Sequence, residues 1–185
     1  MGNGMNKVLD GLYIGSLSDA ENRKSLTENG ITHILSVYNN PRPLFEDKTY
    51  LCIDVYDSCS ENLLRHFKNA IGFIHGCRVN GGACLVHCLA GVSRSTTMVV
   101  AYLMTITDYG FDDCLAAVKV VRSCVCPNYS FQSQLLKYKD GQVSEYRAWL
   151  KSSFPPSPFN DKEQVAALLR VHREGPNPDD PESSS

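Results

Sequence analysis

The sequence predicts an α/β fold, with a central, mainly parallel sheet, helices on both faces and a helical carboxyl half. Three observations carry this. Short apolar runs of strand length alternate with helix-length segments through the first half of the chain. After residue 87 only helical patterns remain. The 185 residues are 43% hydrophobic, enough for one sizeable core without covalent staples.

Lys7–Leu9 and Leu12–Ile14 read as two short extended segments separated by Asp10-Gly11, a turn dipeptide. A helix is expected from about Ser18, ending at Gly30. His33–Val37 and Tyr50–Val55 read as buried strands joined through the Asn39–Pro43 loop. Leu63, Phe67, Ala70, Ile71 and Ile74 recur at helical spacing, and that helix stops before Asn80-Gly81-Gly82. Cys84–His87 is a short apolar strand. Helices are then expected over Ser95–Thr107, Asp112–Val121 and Phe131–Lys151. One folded domain would therefore occupy residues 1–151, and residues 152–185 would be a carboxyl tail. Pro155–Pro158 breaks the chain there, Asp161–Arg173 forms one amphipathic helix, and Gly175–Ser185 has the composition of a disordered end.

Composition excludes several roles. A net charge of −2 gives no basic footprint for nucleic acid. No apolar run approaches the roughly 20 residues that span a bilayer, and an apolar leader is missing, so a soluble cytoplasmic protein is expected. The eight cysteines are then expected to be reduced. Cys84-x-x-His87 has metal-like spacing but lies in a buried strand without a second pair, so neither a metal nor any other cofactor is expected.

Cys84–Thr97 reads CLVHCLAGVSRSTT: an apolar strand, a loop of small residues, then a helix. Cys88 would sit at the carboxyl end of a parallel strand and the amino end of a helix, where open α/β sheets bind ligands. The backbone amides of Leu89, Ala90, Gly91, Val92, Ser93 and Arg94 would form a nest for an anion. Helix and guanidinium together would lower the Cys88 thiol from ~8.5 toward ~3.5–7.5, making it a nucleophile for phosphorus. Arg94 would grip two phosphate oxygens in a planar fork. Ser95 would hydrogen-bond the thiolate and help it leave, while His87 would order the loop.

Spacing alone does not identify this pair. Cys59 and Arg65 share it, but that stretch lacks a preceding apolar strand and a glycine and runs into an amphipathic helix. It is read as a loop cysteine and a surface arginine.

His87-Cys88-Leu89-Ala90-Gly91-Val92-Ser93-Arg94-Ser95 resembles the H-C-x-x-G-x-x-R-S/T signature of the protein tyrosine phosphatase superfamily. Gly91–Ser95, Ala101–Met104 and Pro127-Asn128-x-x-Phe131 resemble its dual-specificity branch, although Ser130 stands where glycine is usual. With Met1–Met5 and Gly11–Gly15, the likeness reaches from residue 1 to about 150 and points to the small atypical members. It implies metal-independent hydrolysis of phosphotyrosine and phosphoserine/threonine through a phosphocysteine intermediate. It also implies Asn128 as a loop-supporting residue.

A general acid must protonate the leaving oxygen. Asp54 and Asp57 both lie near the end of a strand, and strand alternation does not choose between them. The resemblance places the acid at Asp57.

The uncharged side chains at 89, 90, 92 and 93 argue against an inositol phospholipid substrate. The resemblance implies phosphorylated signalling proteins around MAP kinase pathways, with the enzyme acting as a monomer. Gly2 partly fits the N-myristoylation pattern, with Asn6 at the Ser/Thr position, and the resemblance supports acylation. One acyl chain beside Lys7 alone would give reversible association with the inner face of the plasma membrane, with the nucleus also open. Cys124 and Cys126 are read as loop or packing thiols rather than redox partners of Cys88.

Overall fold

A computed structural model describes residues 4–175, so Gly2 and the end beyond 175 lie outside the described residues. Five strands form one sheet in the order β1-β2-β5-β3-β4. β1 (Asn6–Leu9) and β2 (Leu12–Gly15) make an antiparallel hairpin. Gly11 supplies the turn with a positive φ of 74°. β2, β5 (Cys84–His87), β3 (His33–Tyr38) and β4 (Thr49–Asp54) run parallel to one another. β5 is central and buried along its whole length, which its uninterrupted apolar run requires.

Strand alternation divides the interior in two. Leu35, Val37, Cys84 and Val86 face the main core, while Ile34 and Leu85 join Ala20, Leu26 and Ile31 on the other side. The smaller side is covered by two short helices, α1 (Leu17–Ala20) and α2 (Arg23–Glu28), rather than by one. Ser16 and Asp19 close a capping box on α1, and the Asn22 side chain accepts from the Ser25 amide to restart the chain as α2.

On the main side lie α3 (Phe67–Val79), led in by a 3-10 turn at Leu64–His66, then α4 (Arg94–Ile106) and α5 (Phe111–Val121). The helix expected over 131–151 is two, α6 (Tyr129–Gly141) and α7 (Val143–Ser153). The break follows Gly141, a weak helix former that leaves Gln142 outside both helices.

From residue 152 through Glu174 the chain packs on this body instead of trailing from it. α8 (Asp161–Glu174) lies against α5 and β1. At its start Asp161 receives both Nη atoms of Arg78, at 3.1 and 2.8 Å. Arg78 is fully buried, and the Phe159 ring lies 4.4 Å from its guanidinium carbon. Gln164 exchanges two hydrogen bonds with Asp10. Through Glu174 the carboxyl segment is thus part of the core. Its last ten residues, expected as a disordered end, lie outside the described residues. Among the described residues no helix is long and apolar enough to cross a membrane.

Candidate active site

β5 ends at His87, with Gly15 of β2 on one side and Ser36 of β3 on the other. Residues 88–93 leave the sheet at this point and lead directly into α4, as the run of small residues requires. The loop's six carbonyls are all engaged. His87 Nδ1 takes the Cys88 carbonyl at 3.0 Å, and the Leu17 amide takes that of Leu89 at 3.0 Å. Arg122 donates from Nη2 to Ala90 at 3.1 Å and from Nε to Gly91 at 2.9 Å. Val92 accepts from the Cys126 amide and the Thr96 hydroxyl, and Ser93 from the amide and hydroxyl of Thr97. With every carbonyl occupied by another donor, the loop's amides are left for an anion, and that of Gly91 already points at the Cys88 sulfur.

Cys88 lies at the bottom, 2% exposed. Its sulfur accepts from the Gly91 amide at 3.3 Å and meets Ser95 Oγ at 3.2 Å. Gly91 has φ +71°, and a Cβ there would come within 2.6 Å of Arg122 Nη2 and 2.7 Å of the Gly15 carbonyl oxygen. Only glycine fits.

Arg94, the first residue of α4, is buried. Its Nη1 donates to the Val55 carbonyl at 3.0 Å and to Asn39 Oδ1 at 3.4 Å. These bonds fix the plane of the guanidinium. Its Nε is buried without an acceptor among the described residues. A planar cation at the edge of an anion nest, with a donor unspent, suits a tetrahedral oxyanion.

His87 is fully enclosed. A carbonyl only accepts, so Nδ1 carries the proton, and Nε2 accepts from the Ser36 hydroxyl at 2.7 Å. Burial pushes its pKa down to about 4, so the ring is neutral at physiological pH and serves as a strut.

The two candidate acids part company. Asp54 ends β4 and accepts the Asn40 amide at 2.8 Å, in the loop whose Asn39 contacts Arg94. Asn40 is the one non-glycine residue with positive φ among those described. Asp54 therefore secures a loop conformation. Asp57 lies in the exposed turn after β4, and its Oδ1 accepts from Asn128 Nδ2 at 3.0 Å. Asn128 also caps α6 through the Phe131 amide and donates its own amide to Ser93 Oγ at 3.1 Å. One residue thereby ties the Asp57 turn to the phosphate-loop candidate.

Arg122 was not singled out by the sequence, because an arginine after a helix carries no signal of its own. Cys59 is an exposed free thiol and Arg65 an exposed side chain in the 3-10 turn, away from any nest. Cys124 and Cys126 are exposed free thiols, and the backbone of Cys126 supports Val92. Cys84 points into the main core and His87 is spent on Ser36, so that pair is split; no metal-binding cluster occurs among the described residues. A cavity of about 650 Å³ lies elsewhere, lined by His75, Arg147, Phe154 and Lys162 among others, and shares no residue with the loop.

Comparisons with known proteins show the family. Residues 12–141 match the family model described as the dual specificity phosphatase catalytic domain. Dual specificity protein phosphatase 22-A of Danio rerio is 66% identical over 174 residues, covering 94% of this chain and 84% of that protein. Dual specificity protein phosphatase 22 of Homo sapiens is 53% identical over 169 residues, covering 91% and 92%. The crystal structure of DUSP15 superposes with a TM-score of 0.82 at 47% identity, covering 84% of this chain and all of that one.

Proposed function

The chain belongs to the dual-specificity phosphatase family and is a dual-specificity protein phosphatase, and on that premise we propose the residues that carry its chemistry and the setting in which it acts. The Cys88 thiolate attacks phosphorus while the loop amides and Arg94 hold the equatorial oxygens, whose charge spreads in the transition state. Asp57 protonates the departing tyrosine, serine or threonine oxygen. Water then attacks the phosphocysteine with Asp57 taking its proton, and Ser95 donates to the sulfur as it leaves. His87 and Asn128 act through the loop and the acid turn respectively. No metal takes part in either step.

The observation that carries this reading is the orientation of the loop. Six consecutive carbonyls held by other donors, around a buried sulfur that accepts the Gly91 amide, leave the loop's amides for an oxyanion beside a nucleophile. Phosphate release from phosphotyrosine and phosphothreonine peptides tests it, on wild type and Cys88→Ser. Turnover unaffected by chelators and lost in Cys88→Ser is expected. Turnover that survives in Cys88→Ser would overturn the assignment.

The substrates we propose are phosphorylated signalling proteins of MAP kinase pathways, a reading supported by the likeness to small atypical dual-specificity phosphatases. The enzyme acts as a monomer in this reading, which the same likeness supports. N-myristoylation of Gly2, with reversible attachment to the cytoplasmic face of the plasma membrane, is supported by the partial sequence pattern and by the family resemblance. Mass spectrometry of protein from eukaryotic cells tests it, and an unmodified Gly2 would end the idea.

A further inference from the structure

Six large apolar side chains are exposed among the described residues: Leu44, Tyr56, Leu89, Tyr129, Leu136 and Val171. Three of the six are chain neighbours of the site. Tyr56 precedes Asp57, Leu89 follows Cys88 and Tyr129 follows Asn128. The Asn128 bonds to Asp57 and Ser93 draw these three stretches around one opening. The Tyr56 amide is held by Glu61 Oε1 at 3.0 Å, and the Leu89 carbonyl by the Leu17 amide. The rim is therefore fixed in its backbone while its side chains stand in solvent, exposed by 61% at Tyr56, 42% at Leu89 and 84% at Tyr129.

The charges nearby have the opposite tendency. Residues 56–61 contribute Asp57 and Glu61, residues 127–130 contribute none, and the cation of the loop is the buried Arg94, held by Val55 and Asn39. No spare positive side chain in these stretches greets an acidic neighbour of the phosphorylated residue.

We propose that Tyr56, Leu89 and Tyr129 form a substrate rim that selects phosphoprotein segments carrying large apolar residues next to the phosphorylated one and disfavours acidic flanks. The proposal rests on the phosphatase reading and names its substrate class. The occupant follows from continuity with the nest: a phosphate seated over Cys88 leaves its flanking residues lying on this rim. Rigid, amphipathic tyrosines give large contact area at low entropic cost, which suits a rim that grips apolar side chains.

The test is kcat/KM of the full chain for matched phosphotyrosine peptides with Leu/Phe, Ala or Asp/Glu flanks. A preference for apolar over alanine flanks of roughly tenfold is expected, with acidic flanks lowest. Tyr129→Ser and Tyr56→Ser should each reduce that ratio, and the double variant should bring it to about twofold or less. Equal rates for the three peptides, an acidic preference, or an unchanged ratio in the double variant would each overturn the rim. Turnover of a small aryl phosphate by wild type reports on the chemistry separately. Intact turnover without peptide selection therefore counts against the rim and not against the phosphatase assignment.

Discussion

Arg122 Nε donates to the carbonyl oxygen of Gly91 at 2.9 Å, while its Nη2 takes that of Ala90 at 3.1 Å. A planar fork thus holds two successive peptide groups of the phosphate loop from behind. Arg122→Leu should lower kcat/KM by about 10²-fold, because loss of the fork lets the amides drift from the oxyanion. Arg122→Lys should rescue little, since one ammonium cannot match two diverging carbonyls. Steady-state kinetics beside tungstate affinity checks this; a fully active Arg122→Lys would refute the fork argument.

Gly91→Ala should abolish turnover. The added methyl meets Arg122 and the Gly15 carbonyl at a positive φ, so either the loop or its clasp must move. A circular dichroism spectrum like wild type, with no phosphate release, is the outcome sought. Ordinary turnover would contradict it.

Asp57→Asn should reduce kcat by roughly 10²–10³ with KM little changed, as expected for a lost general acid. The effect should shrink for substrates with a low-pKa leaving group, which needs no proton. Asp54→Asn keeps an oxygen for the Asn40 amide and should cost far less. Equal losses at the two positions would reverse the roles.

Asp161→Ala should destabilise the fold by about 3–5 kcal/mol, because it strands the buried Arg78 guanidinium. Truncation after Ser153 should do so at least as strongly, since it also removes Phe154, Phe159 and α8. Thermal unfolding measures both. An unchanged Tm in the truncated chain would show that the carboxyl segment is dispensable.

His87 gives the fold an acid limit. Its folded pKa near 4 lies below the unfolded value near 6.5, so the unfolded chain binds more protons between those values. Stability from this group is complete above pH ~6.5 and falls as the pH drops toward 4, by about 3 kcal/mol in all. His87→Asn retains a donor for the Cys88 carbonyl and should flatten the dependence in that window. Chemical denaturation from pH 4 to 7 reads the slope.

The strands and the loop after β5 were legible because their signals are local: an apolar run, small residues, and a helix expected from Ser95 and found from Arg94. The merged helices were misread for a related reason. Asn22 and Gly141 sit in otherwise helical composition, and only the cap bond at Ser25 and the break at Gln142 reveal the boundaries. The packing of α8 was invisible because Arg78 and Asp161 are 83 positions apart. Strand alternation left Asp54 and Asp57 open as the acid, and the resemblance, not a local signal, pointed to Asp57. Arg122 was missed since its importance lies wholly in four acceptors contributed by other stretches.

Two of those acceptors are at the amino end: Arg122 Nη1 donates to the Gly4 carbonyl at 3.2 Å and to Asn6 Oδ1 at 2.9 Å. The same guanidinium that shapes the loop therefore also grips the beginning of the chain. Cargo fused at the amino terminus should disturb this shared clasp more than cargo joined at the carboxyl end. For reporters, immobilisation and pull-down experiments, the carboxyl end is the handle that leaves the catalytic loop at rest.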